Sequence, residues 1–216
     1  MTKLLTQNSK MKRSSGRVYN WTLPAFRSQT GTTTCPNAKA CVAGCYARQG
    51  AYVWSNVKAS HEAKLALTKT EDFVPAMDRE IKQKVKAAKG ERVYIRIHDA
   101  GDFYSRRYIE DWFTIMRLNP KVRFYAYTKQ VKEFIKLALD VPLNFNVIFS
   151  YGGKQDAFID DFTMCHSKVF ETVEDLEKAG YVDCSHDDLK VFTTGRVGLV
   201  YHGAKSYKNT TWNKVH

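Results

Sequence analysis

Three cysteines lie close together in residues 31–50, whose sequence is GTTTCPNAKACVAGCYARQG. Five residues separate Cys35 from Cys41, and three separate Cys41 from Cys45. Three thiolates on one short loop are typical of an iron–sulfur site, in which each thiolate binds one iron of a 4Fe–4S cluster. The fourth iron then stays open or takes a distant ligand. The spacing therefore predicts a 4Fe–4S cluster bound by Cys35, Cys41 and Cys45.

A zinc site and simple buried thiols are the alternatives for the same loop. Structural zinc takes four ligands, with cysteines paired about two to four residues apart, and neither spacing here forms a C-x-x-C pair. Cys165 or Cys184 could supply a fourth ligand to either metal site, or both could be packed bystanders. His186 and His202 are further residues of a type that binds metals.

A second group of polar residues follows apolar segments with the composition of strands. HDAGDF places His98, Asp99 and Asp102 directly after RVYIRI, Lys129 follows VRFYAY, and Lys154 lies in YGGKQD after FNVIFS. Carboxylates at these points suit the amino group or ribose of a ligand, and lysines suit a carboxylate. We predict all five as cofactor-binding residues. The alternative for the aspartates is ordering a turn or capping a helix, and for the lysines a solvated position.

Two further features of these segments bear on the same site. Arg96 lies inside an otherwise apolar strand, where an unpaired charge would be costly, so it either points outward or pairs with an aspartate of HDAGDF. The glycines in YGGKQD lack the spacing of a phosphate-binding P-loop. They still allow the backbone to approach a ligand closely.

Alternating strands and helices must position these residues. The predicted strands are a short edge strand within 17–26 and then 92–97, 122–127, 145–150 and 168–170. The predicted helices are 52–67, 71–88, 105–118 with Ser105 as N-cap, a segment through 138, 156–162, and one ending at 179. This alternation indicates βα units, and four or five strands are too few for a closed barrel.

The predicted fold class is therefore α/β, a partial βα barrel or an open, mostly parallel sheet. The cysteine-rich loop lies over the C-terminal edge of the strands, where ligands of such sheets bind. Residues 188–203 predict a C-terminal β-hairpin turning at Thr194 and Gly195. We expect a flexible basic arm over residues 1–16 and a single α/β domain over 17–216.

Composition limits the compartment and the partners. No run of eighteen apolar residues and no secretory h-region are present, so we expect no membrane partner and a cytoplasmic protein. The odd number of cysteines suits a reducing compartment. A net charge of +12 favours anionic partners, either an anionic substrate or nucleic acid, although much of it could be solvated helix surface. The sequence predicts no oligomeric state.

The chain resembles the phage "gene product eighty-eight" family over roughly residues 20–205, in the segments CPNAKACVAGCYA, RIHDAGDFYS, FYAYTK, FSYGGKQD and GLVYHG. This resemblance implies a viral origin, and so the host cell cytoplasm, but no function. More loosely, a three-cysteine loop ahead of βα units is similar to radical S-adenosylmethionine (SAM) enzymes. In those enzymes three cysteines, usually spaced C-x-x-x-C-x-x-C, hold a 4Fe–4S cluster, and SAM chelates the open iron at the strand ends of a partial barrel.

Two functions follow as hypotheses. The first is a phage iron–sulfur protein of radical-SAM-like design, with a 4Fe–4S cluster and SAM as cofactors and an unidentified substrate. The second is a basic nucleic-acid-binding or host-modulating protein whose iron–sulfur or zinc site is structural. An open iron beside a pocket favours the enzyme, and a site closed by four protein ligands favours the binding protein.

Overall fold

The computed structural model describes residues 3–201, which form a seven-stranded sheet with helices. The strands are β1 (Arg17–Trp21), β2 (Val93–Ile97), β3 (Arg123–Thr128), β4 (Phe145–Ser150), β5 (His166–Phe170), β6 (Val182–Asp183) and β7 (Arg196–Val200). Their order is β1-β2-β3-β4-β5-β7-β6, and every neighbouring pair is parallel. The sheet curls into a half-barrel, which confirms the predicted partial barrel.

Helices connect the strands much as the sequence predicts. They are α1 (Ser9–Arg13), α2 (Ser55–Leu67), α3 (Phe73–Ala87), α4 (Arg106–Leu118), α5 (Val131–Lys136) and α6 (Val173–Lys178). Short 3-10 turns cover Ala40–Val42, Tyr46–Arg48, Gly50–Val53, Ala138–Asp140, Asp156–Phe158 and Asp188–Phe192. Ser105 accepts the N–H of Tyr108 at 3.3 Å, so it is the N-cap of α4, as predicted. Across residues 3–201, no helix has both the length and the apolar character needed to span a membrane.

Alternation along β2 and β3 separates two faces of the sheet. Ile95 and Phe124 are fully buried in the core that the helices cover. Their neighbours along the strands point to the opposite, inner face, because successive side chains of a strand alternate. Tyr125 packs there in a second apolar cluster, and Arg96 and Tyr127 line the hollow of the half-barrel.

The described part of the segment predicted as a flexible basic arm packs against the rest of the domain. The backbone N–H groups of Leu4 and Leu5 donate to the carboxylate of Glu80 at 2.8 and 2.9 Å, and Leu5 is fully buried. Thr6 pairs antiparallel with Asn20 beside β1. The two leucines supply enough apolar surface to anchor the segment, which the basic residues around them obscured.

The predicted C-terminal hairpin is wrong. The apolar run before Thr194 forms the 3-10 turn Asp188–Phe192, because the Asp187 side chain accepts the N–H of Leu189 at 3.0 Å and starts a turn. β7 then lies between β5 and β6, parallel to both. The two strands β6 and β7 raise the strand count above the four or five predicted.

Candidate functional site

A cavity of about 420 Å³ lies at the C-terminal edge of the sheet, between the strand ends and the cysteine loop, residues 31–50. The three clustered cysteines line it, and so do four of the other predicted site residues, His98, Asp99, Asp102 and Lys129. The loops after β2 and β3 therefore meet the cysteine loop at one edge, as parallel strands require. Lys154 is not among the lining residues.

Backbone contacts dock the cysteine loop on the segment after β4. Ala38 forms an antiparallel bridge with Gly153. The N–H of Cys41 donates to the carbonyl of Gly152 at 3.4 Å, and the N–H of Lys154 donates to the carbonyl of Asn37 at 2.8 Å. The loop that carries the thiols is thus held against the sheet edge.

The two glycines after β4 serve this docking. Gly152 has φ of +94°, and a Cβ on Gly153 would lie 3.0 Å from the Asn37 carbonyl and 3.1 Å from Lys129 Cδ. Both glycine N–H groups donate to the Asp156 carboxylate at 2.8 Å. The close backbone approach that the sequence predicts is therefore an approach to the cysteine loop.

The three thiols are free and partly buried. Burial raises the pKa of Cys35 to about 12, and the nearby Asp102 carboxylate adds to the shift. Burial also raises the pKa of Cys45. These two thiols are therefore protonated at neutral pH without a metal, and a metal that binds them must displace their protons.

Cys165, Cys184 and His186 do not line the cavity. Cys165 borders a separate groove, with its Sγ 3.7 Å from the carbonyl of Thr194. Cys184 is fully buried in the inner apolar cluster. His186 does not line the cavity, and His202 lies outside the described residues. Neither cysteine reaches the cavity, so the interpretation of both as packed bystanders fits the structure better.

The three thiols are not arranged as a ready-made site for one metal ion. Among residues 3–201, no three His, Cys, Asp or Glu side chains are placed to hold one metal ion. A cubane carries each thiolate on a different iron, so its ligands lie farther apart than those of a tetrahedral zinc. Cys35, Cys41 and Cys45 share one cavity without forming such a compact group.

Asp99 and His98 occupy the wall of the cavity. The Asp99 carboxylate accepts the hydroxyls of Thr22 and Tyr52, the latter at 2.9 Å, and its backbone carbonyl accepts the Tyr46 hydroxyl. His98 is 3 % exposed, and burial lowers its pKa to about 3, so its ring is neutral. Only the ring nitrogen Nε2 of His98 has a partner in the described part of the chain.

Asp102 fastens the ends of β2 and β3 together. Its buried carboxylate accepts the N–H groups of Phe103 and Lys129 at 2.7 and 2.9 Å and the hydroxyl of Thr128 at 2.7 Å. Burial raises the pKa of Asp102, and these bonds oppose that rise. These contacts match the alternative interpretation of the sequence, in which Asp102 orders a turn.

The two predicted lysines have protein acceptors. The Lys129 amine donates to the carbonyl and hydroxyl of Ser150 at 3.1 and 2.9 Å and to the carbonyl of Tyr151 at 2.9 Å. The Lys154 amine donates to the carbonyl of Pro36 at 2.8 Å. These contacts tie β3, β4 and the cysteine loop together. They use all three donors of the Lys129 amine, whereas the Lys154 amine donates one bond of the three it can make.

Sequence reasoning missed several residues that complete the cavity. Tyr46 and Tyr52 form an edge-to-face pair at 5.7 Å on its wall. Arg96 pairs with Asp188 at 3.1 Å, whereas the sequence suggested either an outward position or a pair with Asp99 or Asp102. The signal for Arg96 was a charge in an apolar strand, but its partner lies 92 positions away along the chain.

Fold and cavity together define a class, a half-barrel of βα units with three thiols at its ligand-binding edge. The chain belongs to the family described as Gene product 88, whose model matches residues 2–211. This confirms the family resemblance noted from the sequence.

A curated relative, the Gene 88 protein of Mycobacterium phage L5, is 34 % identical over 103 residues. The match spans 44 % of this chain and 43 % of the relative, less than half the length of that protein. No solved structure matches the chain. Neither the family description nor the name of the relative states an activity or a cofactor, so the similarity to radical SAM enzymes stays a prediction.

Proposed function

We propose that this protein is a phage iron–sulfur protein, a radical-SAM-like enzyme that acts in the cytoplasm of the infected bacterium. Cys35, Cys41 and Cys45 would hold a 4Fe–4S cluster. The observation that carries the proposal is that these three thiols line one cavity at the ligand-binding edge of a parallel half-barrel, and that the lining includes no other cysteine. Held by these thiols, the cluster would supply one-electron chemistry for the reductive cleavage of SAM.

The chain's own residues have separate tasks in this proposal. The thiols give up their protons when they bind iron, because burial keeps Cys35 and Cys45 protonated otherwise. Asp99 would accept a hydrogen bond from the amino group or a ribose hydroxyl of SAM, since a carboxylate retains lone pairs beyond its bonds to Thr22 and Tyr52. Asp102 would not contact SAM itself. Its hydrogen bonds hold the ends of β2 and β3 in place.

Metal analysis of protein purified without oxygen tests the cluster. We expect the purified protein to contain about four irons per chain and to absorb broadly at about 400 nm. Cys41→Ser should abolish both, because it removes a ligand. Cys165→Ser is the matched control and should change neither, since Cys165 lies outside the cavity. One equivalent of zinc without iron, or loss of iron in the control, would overturn the proposal.

Electron paramagnetic resonance of the reduced protein tests the enzyme class. Added SAM should perturb the cluster signal, and Asp99→Asn should remove that response while iron content stays intact, because Asp99 contacts the ligand and not the metal. A cluster that ignores SAM in the wild-type protein would leave a structural iron–sulfur site and refute the radical-SAM assignment.

A second candidate function, nucleic-acid binding, has one observation in its favour. A groove of about 710 Å³ at the opposite, N-terminal edge of the sheet is lined by Arg92, Lys121 and Arg123. The Arg92 and Lys121 side chains make no hydrogen bond or ion pair with residues 3–201. The acidic lining residue Glu91 is already paired with Arg17 at 2.9 Å. Free cations in a groove suit the phosphates of a nucleic acid.

The salt dependence of binding to a DNA duplex or a single-stranded RNA tests the nucleic-acid candidate. If the groove binds phosphates, Lys121→Ala should reduce the slope of log affinity against log salt by about one. Lys69→Ala removes the same charge next to Thr32 of the cysteine loop and should leave the slope unchanged. Equal effects of both variants would indicate diffuse charge and exclude a groove.

A further inference from the structure

The floor of the cavity carries hydrogen-bond donors that the protein does not satisfy. Arg96 and Tyr127 come from the neighbouring strands β2 and β3, and both line the cavity beside the three thiols. In the part of the chain that the structure describes, Arg96 Nε and the Tyr127 hydroxyl are shielded from water and have no acceptor. A buried donor without an acceptor destabilises a fold, so a ligand that reaches these two atoms from the cavity would relieve that cost.

Asp188 holds the Arg96 guanidinium in place through Nη1 and leaves Nε without a partner among the described residues. Its carboxylate is fully buried, accepts Arg96 Nη1 at 3.1 Å and accepts the Tyr125 hydroxyl at 2.9 Å. The Tyr127 ring lies against the same guanidinium, with 5.2 Å between Arg96 Cζ and the ring centroid. The arginine is therefore held in place on one side, and its Nε–H remains for another acceptor.

The other charged groups of the cavity already have protein partners. The Lys129 amine has three protein acceptors, and the Asp102 carboxylate has three protein donors. Asp99 accepts two hydroxyls. Within residues 3–201, Arg96 Nε and the Tyr127 hydroxyl each lack an acceptor, and an ammonium group cannot provide one.

We propose that Arg96 and Tyr127 form an anion subsite that binds a carboxylate or phosphate group of the substrate. Such a group offers two oxygens to two donors on adjacent strands, and a guanidinium bonds an oxyanion more strongly than a neutral carbonyl. The inference rests on the proposed function in that the substrate occupies the same cavity as the cysteine loop. It narrows the substrate class to small anionic molecules.

Titration of the full chain with acetate and with inorganic phosphate tests the subsite, by calorimetry at low ionic strength. One of the two anions should bind, and which one distinguishes a carboxylate from a phosphate. Tyr127→Phe removes one unpaired hydroxyl and should weaken that binding about tenfold or more without lowering the melting temperature. Arg96→Lys keeps a charge opposite Asp188 but loses Nε, and should weaken binding at least as much.

Two controls keep the result specific. Tyr104→Phe removes a hydroxyl on the helical layer, where Tyr104 contacts Thr68, and should leave anion binding unchanged. Arg92→Ala tests whether phosphate binds the groove at the opposite edge instead. Unchanged binding in Tyr127→Phe, loss of binding in Arg92→Ala alone, or no anion binding by the wild-type protein would each overturn the subsite. Iron content and the SAM response are measured separately, so failure of the proposed function and failure of the subsite are distinguishable.

Discussion

His98 follows β2 in the left-handed region of backbone space, with φ of 67°, and its ring packs against Phe103 and Tyr108. Its Nε2 lies 2.9 Å from the Tyr108 hydroxyl. A non-glycine residue in this conformation needs support from its surroundings. Here the buried aromatic contacts supply it, and they also keep the imidazole neutral.

This burial predicts a pH dependence of stability. Because burial lowers the pKa of His98 to about 3, below about pH 6.5 the unfolded chain binds a proton at this site that the folded protein does not. Stability should therefore fall as pH falls through this window, by up to about 1.4 kcal/mol per pH unit from His98. Urea unfolding at several pH values should show a smaller loss in His98→Asn. Parallel curves for the two proteins would contradict the assignment.

At the scale of elements, the segment after β4 holds the cysteine loop against the sheet. Gly152 and Gly153 let the two backbones approach, and Lys154 bonds Pro36 across the contact. The YGGK segment therefore holds the cysteine loop in position against the sheet. Its lysine acts on the loop and does not line the cavity.

Gly153→Ala should separate the loop from the sheet. The added methyl would lie 3.0 Å from the Asn37 carbonyl, an overpacking that costs about 1–3 kcal/mol. We expect faster proteolysis within residues 31–50 and lower iron content. Gly195→Ala is the matched control, because its methyl would meet no atom within 4 Å. An intact loop in Gly153→Ala would show that this contact does not position the thiols.

At the scale of the whole molecule, the chain has two unlike ends along the strand direction. The C-terminal edge carries the thiols and paired carboxylates, while the N-terminal edge carries Arg92, Lys121 and Arg123. The N-terminal segment joins β1 to α3 through Glu80 and adds Leu5 to the outer core. It is therefore part of the folded domain.

Leu5→Ala should lower the free energy of unfolding by about 2–5 kcal/mol, because it creates a cavity in a packed core. Lys3→Ala, at an exposed position two residues away, should change it by less than about 0.5 kcal/mol. Guanidinium unfolding of the two variants measures the difference. A negligible effect of Leu5→Ala would restore the flexible arm predicted from the sequence.

The amino-acid sequence alone determined the features that depend on local periodicity and on motifs. Alternating apolar runs predicted β2, β3 and β4 and their parallel pairing, and Ser105 marked the start of α4. Parallel strands place their carboxyl ends together, so the meeting of the cysteine loop with His98, Asp99 and Asp102 also followed from the sequence. The motifs identified the family.

Only the tertiary structure decided which partner each charged group has. Arg96 pairs with Asp188 across 92 residues of sequence, and Lys154 bonds Pro36 across 118. Such pairs depend on how distant segments fold over the sheet, and no local pattern encodes them. The same holds for β7, whose parallel position depends on strands on both sides of it. Local sequence therefore placed residues at the site, and long-range packing left Arg96 Nε and the Tyr127 hydroxyl among the buried groups that have no partner in the described part of the chain.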